Sequence, residues 1–188
     1  MYNENWQEDV KEICKKRLLF HESLQLGELY AQIGKAKVNS VVVRWFIEEL
    51  LQYTEKEVYA KLDATVFKKY GFKSFLDKQY NGTVYFALHA AYPHKYLMWK
   101  LKSLPRGAWE NLAFARAALK QWIEDEMKWD DVAICQNFTL KQIRKSGKYG
   151  RRMCQLIETA HESDPMKALQ DVYPHKFRRG RYDKIELR

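Results

Sequence analysis

The residues of this chain with the clearest chemical use are a run of cations. Positions 141 to 152 hold six lysines and arginines and no acidic residue. Cationic side chains at this density neutralise phosphates, and arginine can also bind guanine through two hydrogen bonds. The run therefore predicts a nucleic-acid contact. Its members, together with the one aromatic residue among them, are Lys141, Arg144, Lys145, Lys148, Tyr149, Arg151 and Arg152.

Further cations extend this prediction beyond the run. The net charge of the chain is +9, and much of it lies near the C-terminus, whereas residues 110–131 carry six carboxylates against three basic residues. This asymmetry indicates a polyanionic partner more than general solubility. We expect two additional sets of contacts. One is an auxiliary C-terminal arm, formed by Lys176, Arg178, Arg179 and Arg181, and the other is an earlier lysine pair, Lys68 and Lys69.

Metal and catalytic chemistry find little support in the sequence. His94 and His175 occupy corresponding Tyr-Pro-His-Lys segments, but nothing at ligand spacing completes a coordination shell. The acidic run 124–126 could gather a divalent ion for nucleic-acid cleavage, yet consecutive helical residues point in different directions. We therefore expect a protein that is not an enzyme and that has no metal or cofactor.

The elements that must position these residues are helices. Apolar residues recur at spacings of three and four, and no alternating strand pattern persists. Thr54 with Glu57 forms a predicted capping box, and Thr83 is a predicted helix cap. Gly71 and Gly147 stand where short helices should end. The fold class is predicted to be all-α, with a continuous acidic helix over 110–131.

Two pairs of short helices resemble helix-turn-helix elements. One pair is predicted over 55–62 and 64–70, and the other over 130–137 and 140–146. In a helix-turn-helix the second helix can lie in the major groove of DNA. Packing Phe67 or Ile143 inward would leave the lysines and arginines of each second helix exposed. The alternative, equally open at this point, is a plain helical bundle with solvated lysines.

The chain also repeats itself. Residues 87–96 recur as 168–177, and seven upstream positions match at a constant offset of 76 residues. Self-similarity of this kind is typical of repeated helical units. We predict an N-terminal helical segment (1–35), a first repeat unit (36–107) and a diverged second unit with a basic tail (108–188).

The spacing from Asn81-Gly82-Thr83 through Ala87-Leu88 to Tyr92-Pro93-His94-Lys95-Tyr96 and Trp99 resembles a known helical repeat. That repeat has no known function and occurs in proteins of Bacillus-like bacteria and their phages. The likeness is good over residues 43–109 and weaker over 114–177, and Gly180 stands where the counterpart of Trp99 would be. The resemblance implies an all-helical fold and a bacterial or phage origin.

Charge and helical pattern together favour a non-catalytic DNA-binding protein. We expect double-stranded DNA as the partner, and a bacterial or phage regulator as the biological role. The alternative is a protein-interaction module, such as a phage-type modulator of a host protein. The N-terminus lacks a secretory signal, no apolar run approaches a membrane span, and the three cysteines form no close pair, so we expect a cytoplasmic protein without membrane contact. The oligomeric state and the target sequence stay open.

Overall fold

The computed structural model describes residues 5–177, which are all-helical and contain no strand. The prediction of an all-α fold is confirmed over that range. The chain forms two compact units that divide between Pro105 and Arg106. This division falls in the Leu104–Gly107 segment, where Gly107 adopts a left-handed backbone with φ of 70°.

The described part of the first unit, residues 5–105, contains seven α-helices. They are α1 (Trp6–Phe20), α2 (Gly27–Ile33), α3 (Lys35–Arg44), α4 (Glu55–Lys61), α5 (Ala64–Lys69), α6 (Lys73–Tyr80) and α7 (Val84–Ala91). The N-terminal segment packs within this unit, because α1 contacts α3 and buries Val10 and Cys14 in the shared core. Phe46 lies at the centre of that core and stacks on Phe67 with ring centroids 4.4 Å apart. Burial of such large apolar side chains supplies most of the favourable free energy of folding.

The second unit contains five α-helices among the described residues. They are α8 (Leu112–Gln121), α9 (Asp131–Asn137), α10 (Leu140–Lys145), α11 (Gly150–Ala160) and α12 (Pro165–Val172). Its core is built mainly by α8, α11 and α12, which contact one another. Trp122 and Ile143 are fully buried there, and Trp109 stacks on Phe114 with ring centroids 5.4 Å apart.

The helices α3 and α8 each widen into a π-helical turn at the C-terminal end. The turns cover Trp45–Leu50 after α3 and Trp122–Glu126 after α8. In each, a backbone N–H bonds a carbonyl five residues earlier, over 3.0 Å from Leu51 to Phe46 and 2.9 Å from Met127 to Trp122. The π-turn is rare in proteins and is often found at functional sites.

Several local predictions are confirmed and two are wrong. The Thr54–Glu57 capping box forms, and Gly71 and Gly147 adopt left-handed backbone after their short helices. Thr83 precedes α7, but its side chain does not cap the helix and instead bonds the Asn81 carbonyl. The expected continuous helix over 110–131 is also wrong, because it ends with the π-turn at Glu126 and leaves Met127–Asp130 non-helical.

None of the helices within the described part of the chain has the length and apolar character needed to cross a lipid bilayer.

Candidate nucleic-acid interface

The short helix α10 positions the first part of the basic run. It begins after Thr139, whose hydroxyl accepts a 3.3 Å hydrogen bond from the Gln142 backbone N–H. Ile143 is fully buried and anchors one face, while Lys141 and Lys145 are exposed on the other. This arrangement follows from helical periodicity, because positions 141 and 145 are one turn apart and share a face.

The helix α10 is held against α11, the helix that follows it. Gly150 makes this close approach possible, since a Cβ atom at that position would lie 2.0 Å from the Ile143 carbonyl oxygen. The Cys154 thiol also donates to the Leu140 carbonyl over 3.3 Å. The main packing partner of α10 is therefore α11 rather than α9, the first helix of the predicted helix-turn-helix pair.

Four cations of the run are exposed and unpaired with respect to the described residues. Lys141 and Lys145 extend from α10, Lys148 lies in the joint, and Arg151 lies in the first turn of α11. None of the four forms an ion pair with a carboxylate within residues 5–177. Lys148 places its ammonium 5.1 Å from the centre of the Tyr149 ring. We refer to these four exposed cations of α10, the joint and the start of α11 as the basic face (Lys141, Lys145, Lys148 and Arg151).

Three other predicted contacts are engaged within the protein. Arg144 forms an ion pair with Glu158 at 3.1 Å, and Lys176 forms one with Asp131 at 2.5 Å. Arg152 is half buried, and burial lowers the pKa of its guanidinium from the ordinary value. Arg144 and Lys176 are therefore partly neutralised by carboxylates, and Arg152 is less accessible than the sequence suggests.

The remaining predicted cations lie elsewhere. Lys68 and Lys69 are exposed at the end of α5 in the first unit, where Lys69 lies 5.3 Å from the centre of the Tyr70 ring. They form no ion pair with the residues that the structure describes. Arg178, Arg179 and Arg181 lie outside the described residues.

Four of the six tryptophans are buried and the other two, Trp6 and Trp129, are half buried. Trp99 and Trp109 are 1% and 7% exposed, so both are unavailable for stacking on bases. Tyr149, the aromatic residue of the basic run, is half buried beneath Lys148. Over residues 5–177, no tryptophan or tyrosine is among the large apolar side chains that are strongly exposed.

The Tyr-Pro-His-Lys segments make a contact that sequence reasoning missed. The Tyr92 hydroxyl donates to Glu48 over 2.7 Å, and the Tyr173 hydroxyl donates to Glu124 over 3.0 Å. Both acceptors lie on the π-turns. Burial and the adjacent carboxylate raise the pKa of both tyrosines well above the ordinary value, so both hydroxyls stay protonated donors. The two residues of each pair are 44 or 49 positions apart in the sequence, so no local sequence signal predicts these contacts.

The acidic residues near position 130 serve the fold. Asp130 caps α9 by accepting a 2.8 Å hydrogen bond from the Ala133 N–H, Asp131 pairs with Lys176, and Glu124 accepts from Tyr173. In the described part of the chain, no group of three or more histidine, cysteine, aspartate or glutamate residues is placed to hold a metal ion.

No family model matches this chain, and no curated protein or solved structure is significantly similar to it. The resemblance to the bacterial and phage helical repeat therefore stays a prediction, and the geometry of the residues themselves must carry any functional conclusion.

Proposed function

We propose that this protein binds nucleic acid, with double-stranded DNA as the favoured form, without catalysing a reaction on it. The basic face carries the proposal. Its four cations follow one another along α10, the joint and α11, all are exposed, and none is neutralised by a described carboxylate. Uncompensated lysines and arginines on an ordered scaffold attract phosphates and release their counterions.

The basic face is better suited to contacts with phosphates than to sequence-specific hydrogen bonds with the edges of bases. The helix α10 has six residues, which corresponds to a length of about 9 Å. It lies against α11 through the close approach at Gly150, so one side of this short helix is already covered. The exposed side offers two lysines, and lysine behaves toward phosphate as a point charge. We therefore expect weak sequence preference.

No aromatic side chain is strongly exposed among the described residues of the second unit, which carries the basic face, and this favours a duplex over a single strand. Proteins that bind single strands without sequence preference stack bases on exposed aromatic rings. Trp99, Trp109 and Trp122 are buried, and Tyr149 is half buried beside Lys148. A duplex presents its phosphates on the outside and needs no such rings.

We also infer that the two units are diverged copies of one helical unit. Each has a long helix that widens into a π-turn beginning at a tryptophan, Trp45 or Trp122. A left-handed residue with φ of 51° follows in each, Gln52 or Lys128. Each unit then has two short helices, two further helices and a tyrosine bonded to the π-turn glutamate. These shared features support the duplication. For the biological role of the protein we propose a bacterial or phage regulator that acts in the cytoplasm.

The test is a mobility-shift titration with a duplex of arbitrary sequence at 50 and 200 mM salt. Each phosphate contact contributes about −0.9 to the slope of the logarithm of the binding constant against the logarithm of the salt concentration. Four contacts therefore predict a loss of about 10² in affinity between the two salt concentrations. Changing Lys141, Lys145 and Arg151 to alanine should weaken binding to every duplex and reduce the slope by about 2.7. Arg144 is kept, because its ion pair joins α10 to α11.

The matched control removes three charges from exposed positions outside the basic face. Lys16, Lys56 and Lys120 are exposed, and none forms an ion pair with a described residue. Their triple alanine variant should keep the wild-type slope. Equal losses in the two triple variants would mean that only net charge matters. No shift at 50 mM salt for the wild-type protein would end the proposal.

A second candidate function, docking on another protein, is favoured by two side chains at the end of α1. Leu19 and Phe20 are 69% and 66% exposed and adjacent, which is costly for large apolar residues in water. Under this alternative, changing both to serine abolishes capture of the partner, whereas the Lys141, Lys145 and Arg151 variant retains it.

A further inference from the structure

The first unit contains a cavity that plays no part in the proposed nucleic-acid contact. Its volume is about 330 Å³, which lies within the range of small-molecule sites in proteins. The walls come from the end of α1, the segment before α2, α2 itself and α6. The lining includes Arg17, Leu24, Leu26, Phe75, Lys78 and Gln79, and no carboxylate is among the lining residues.

Arg17 supplies a fixed positive charge to this cavity. Its Nη1 donates to the carbonyls of His21 and Glu22, each over 2.8 Å. Its Nη2 and Nε donate to the Gly71 carbonyl over 2.9 and 3.3 Å. These bonds use four of the five guanidinium N–H groups, and all the acceptors are neutral carbonyls. The guanidinium is thus immobilised while its charge stays uncompensated, with one N–H left to donate.

Two neighbouring residues on α6 add a second positive charge and further hydrogen-bond donors to the cavity. Lys78 is exposed and forms no ion pair with the described part of the chain. Gln79 is oriented by a chain of hydrogen bonds, from the Tyr30 hydroxyl to Asn39 Oδ1 over 2.8 Å and from Asn39 Nδ2 to Gln79 Oε1 over 3.3 Å. Because its carbonyl oxygen is occupied, Gln79 offers its amide N–H groups. Burial raises the pKa of Tyr30, which keeps this donor protonated.

The lining of the cavity also contains apolar side chains. Leu26 and Phe75 are 3% and 5% exposed and form part of the core, and Leu24 is half buried against that core. A ligand that contacts these side chains gains free energy from the removal of apolar surface from water. The site therefore joins an apolar wall to donors and cations.

We propose that this cavity is a binding site for a small organic anion, a carboxylate or sulfonate attached to a compact apolar body. The anionic group contacts Arg17, Lys78 and the Gln79 amide, and the apolar body contacts Leu24, Leu26 and Phe75. The absence of any carboxylate among the lining residues excludes a preference for cations. This site is separate from the basic face and does not depend on the proposed nucleic-acid binding.

The experiment measures binding of 4-fluorobenzoate to the full chain by ¹⁹F NMR, alongside the isosteric neutral compound 4-fluorobenzamide. We expect the carboxylate to bind and the amide to bind at least several-fold more weakly. Lys78→Gln should weaken binding of 4-fluorobenzoate by about 2- to 5-fold, as expected for loss of one solvent-exposed charged partner, and should leave the amide unchanged. Lys56→Gln, an equivalent change at an exposed residue of α4, should have no effect.

A second variant tests the location of the site. Ser74 lines the cavity and is exposed on α6, so Ser74→Trp fills the opening without entering the core. Binding of 4-fluorobenzoate should be abolished. The proposal is overturned if the wild-type protein does not bind the carboxylate at millimolar concentration, if the amide binds as well, or if Ser74→Trp binds normally.

Discussion

The hydroxyl of Tyr92 donates a 2.7 Å hydrogen bond to Glu48, which ties the end of α7 to the π-turn after α3. Tyr92 is 8% exposed, whereas Glu48 is exposed, so the bond links the core to the surface. Arg44 completes the junction, because its guanidinium donates to the Ala91 carbonyl over 2.7 and 2.9 Å and lies 5.2 Å from the centre of the Tyr92 ring. Tyr92 and Arg44 thus both connect the end of α7 to the segment where α3 becomes the π-turn.

Removing this hydroxyl should destabilise the protein. Tyr92→Phe is expected to lower the free energy of unfolding by about 0.5–1.5 kcal/mol, the usual net value of one hydrogen bond. Tyr173→Phe should have a similar effect through Glu124. Urea unfolding followed by circular dichroism measures both. Tyr53→Phe is the control, because the Tyr53 hydroxyl has no hydrogen bond to the described residues, and an equal loss there would contradict the assignment.

Gly150 should tolerate no side chain. A Cβ atom would lie 2.0 Å from the Ile143 carbonyl oxygen, and backbone must move to relieve that contact. Gly150→Ala is expected to cost about 1–3 kcal/mol, in the range of overpacked interiors. Gly27→Ala is the matched control, because Gly27 starts α2 with nothing within 4 Å of the added atom. Thermal unfolding distinguishes the two, and a Gly150 variant as stable as the Gly27 variant would contradict the close approach.

Stability should decrease in mild acid because of His161. This side chain is 2% exposed, and its Nε2 has no hydrogen-bond partner among the described residues. Burial lowers the pKa of His161 below its ordinary value of 6.5, and Lys167 and Arg116 lower it further, against opposing effects of Asp171 and Asp164.

The unfolded chain therefore takes up a proton near pH 6.5, whereas the folded chain resists it. The stability that neutral, buried His161 contributes is fully present above pH 6.5, and this contribution is lost as the pH falls below that value. Urea unfolding at pH 7.5 and pH 5.5 should show a lower free energy at pH 5.5, and His161→Phe should reduce the difference. His94→Gln, at an exposed histidine, should leave the difference unchanged. A pH dependence identical in His161→Phe and the wild type would assign the effect to other groups.

Local sequence features predicted the ends of many helices. The Thr54–Glu57 box and the left-handed glycines at 71 and 147 act over a few residues, so their residue types are sufficient to place them. The π-turns could not be predicted in this way. They depend on backbone bonds between residues five apart and on contacts with distant tyrosines, which only the folded chain supplies.

The candidate nucleic-acid interface was also predicted only in part, because sequence patterns report local contacts and not contacts between distant residues. Helical periodicity is enough to place Lys141 and Lys145 on an exposed face. The ion pair of Arg144 with Glu158 joins two helices, and that of Lys176 with Asp131 joins residues 45 positions apart, so neither follows from spacing. The organic-anion cavity draws its walls from residues 17 to 79, and no local pattern connects those residues.

The role of Arg17 has a consequence for how this protein can vary. The segment from His21 to Leu26 has no regular secondary structure, and one side chain fastens its start to Gly71 through backbone carbonyls alone. Because every residue type has the same carbonyl, a substitution at Glu22 preserves its bond with Arg17, and one at His21 does so where the new residue adopts the left-handed backbone of that position (φ of 56°). The side chains of these two residues can therefore change at little structural expense, whereas loss of Arg17 would release the segment from Gly71.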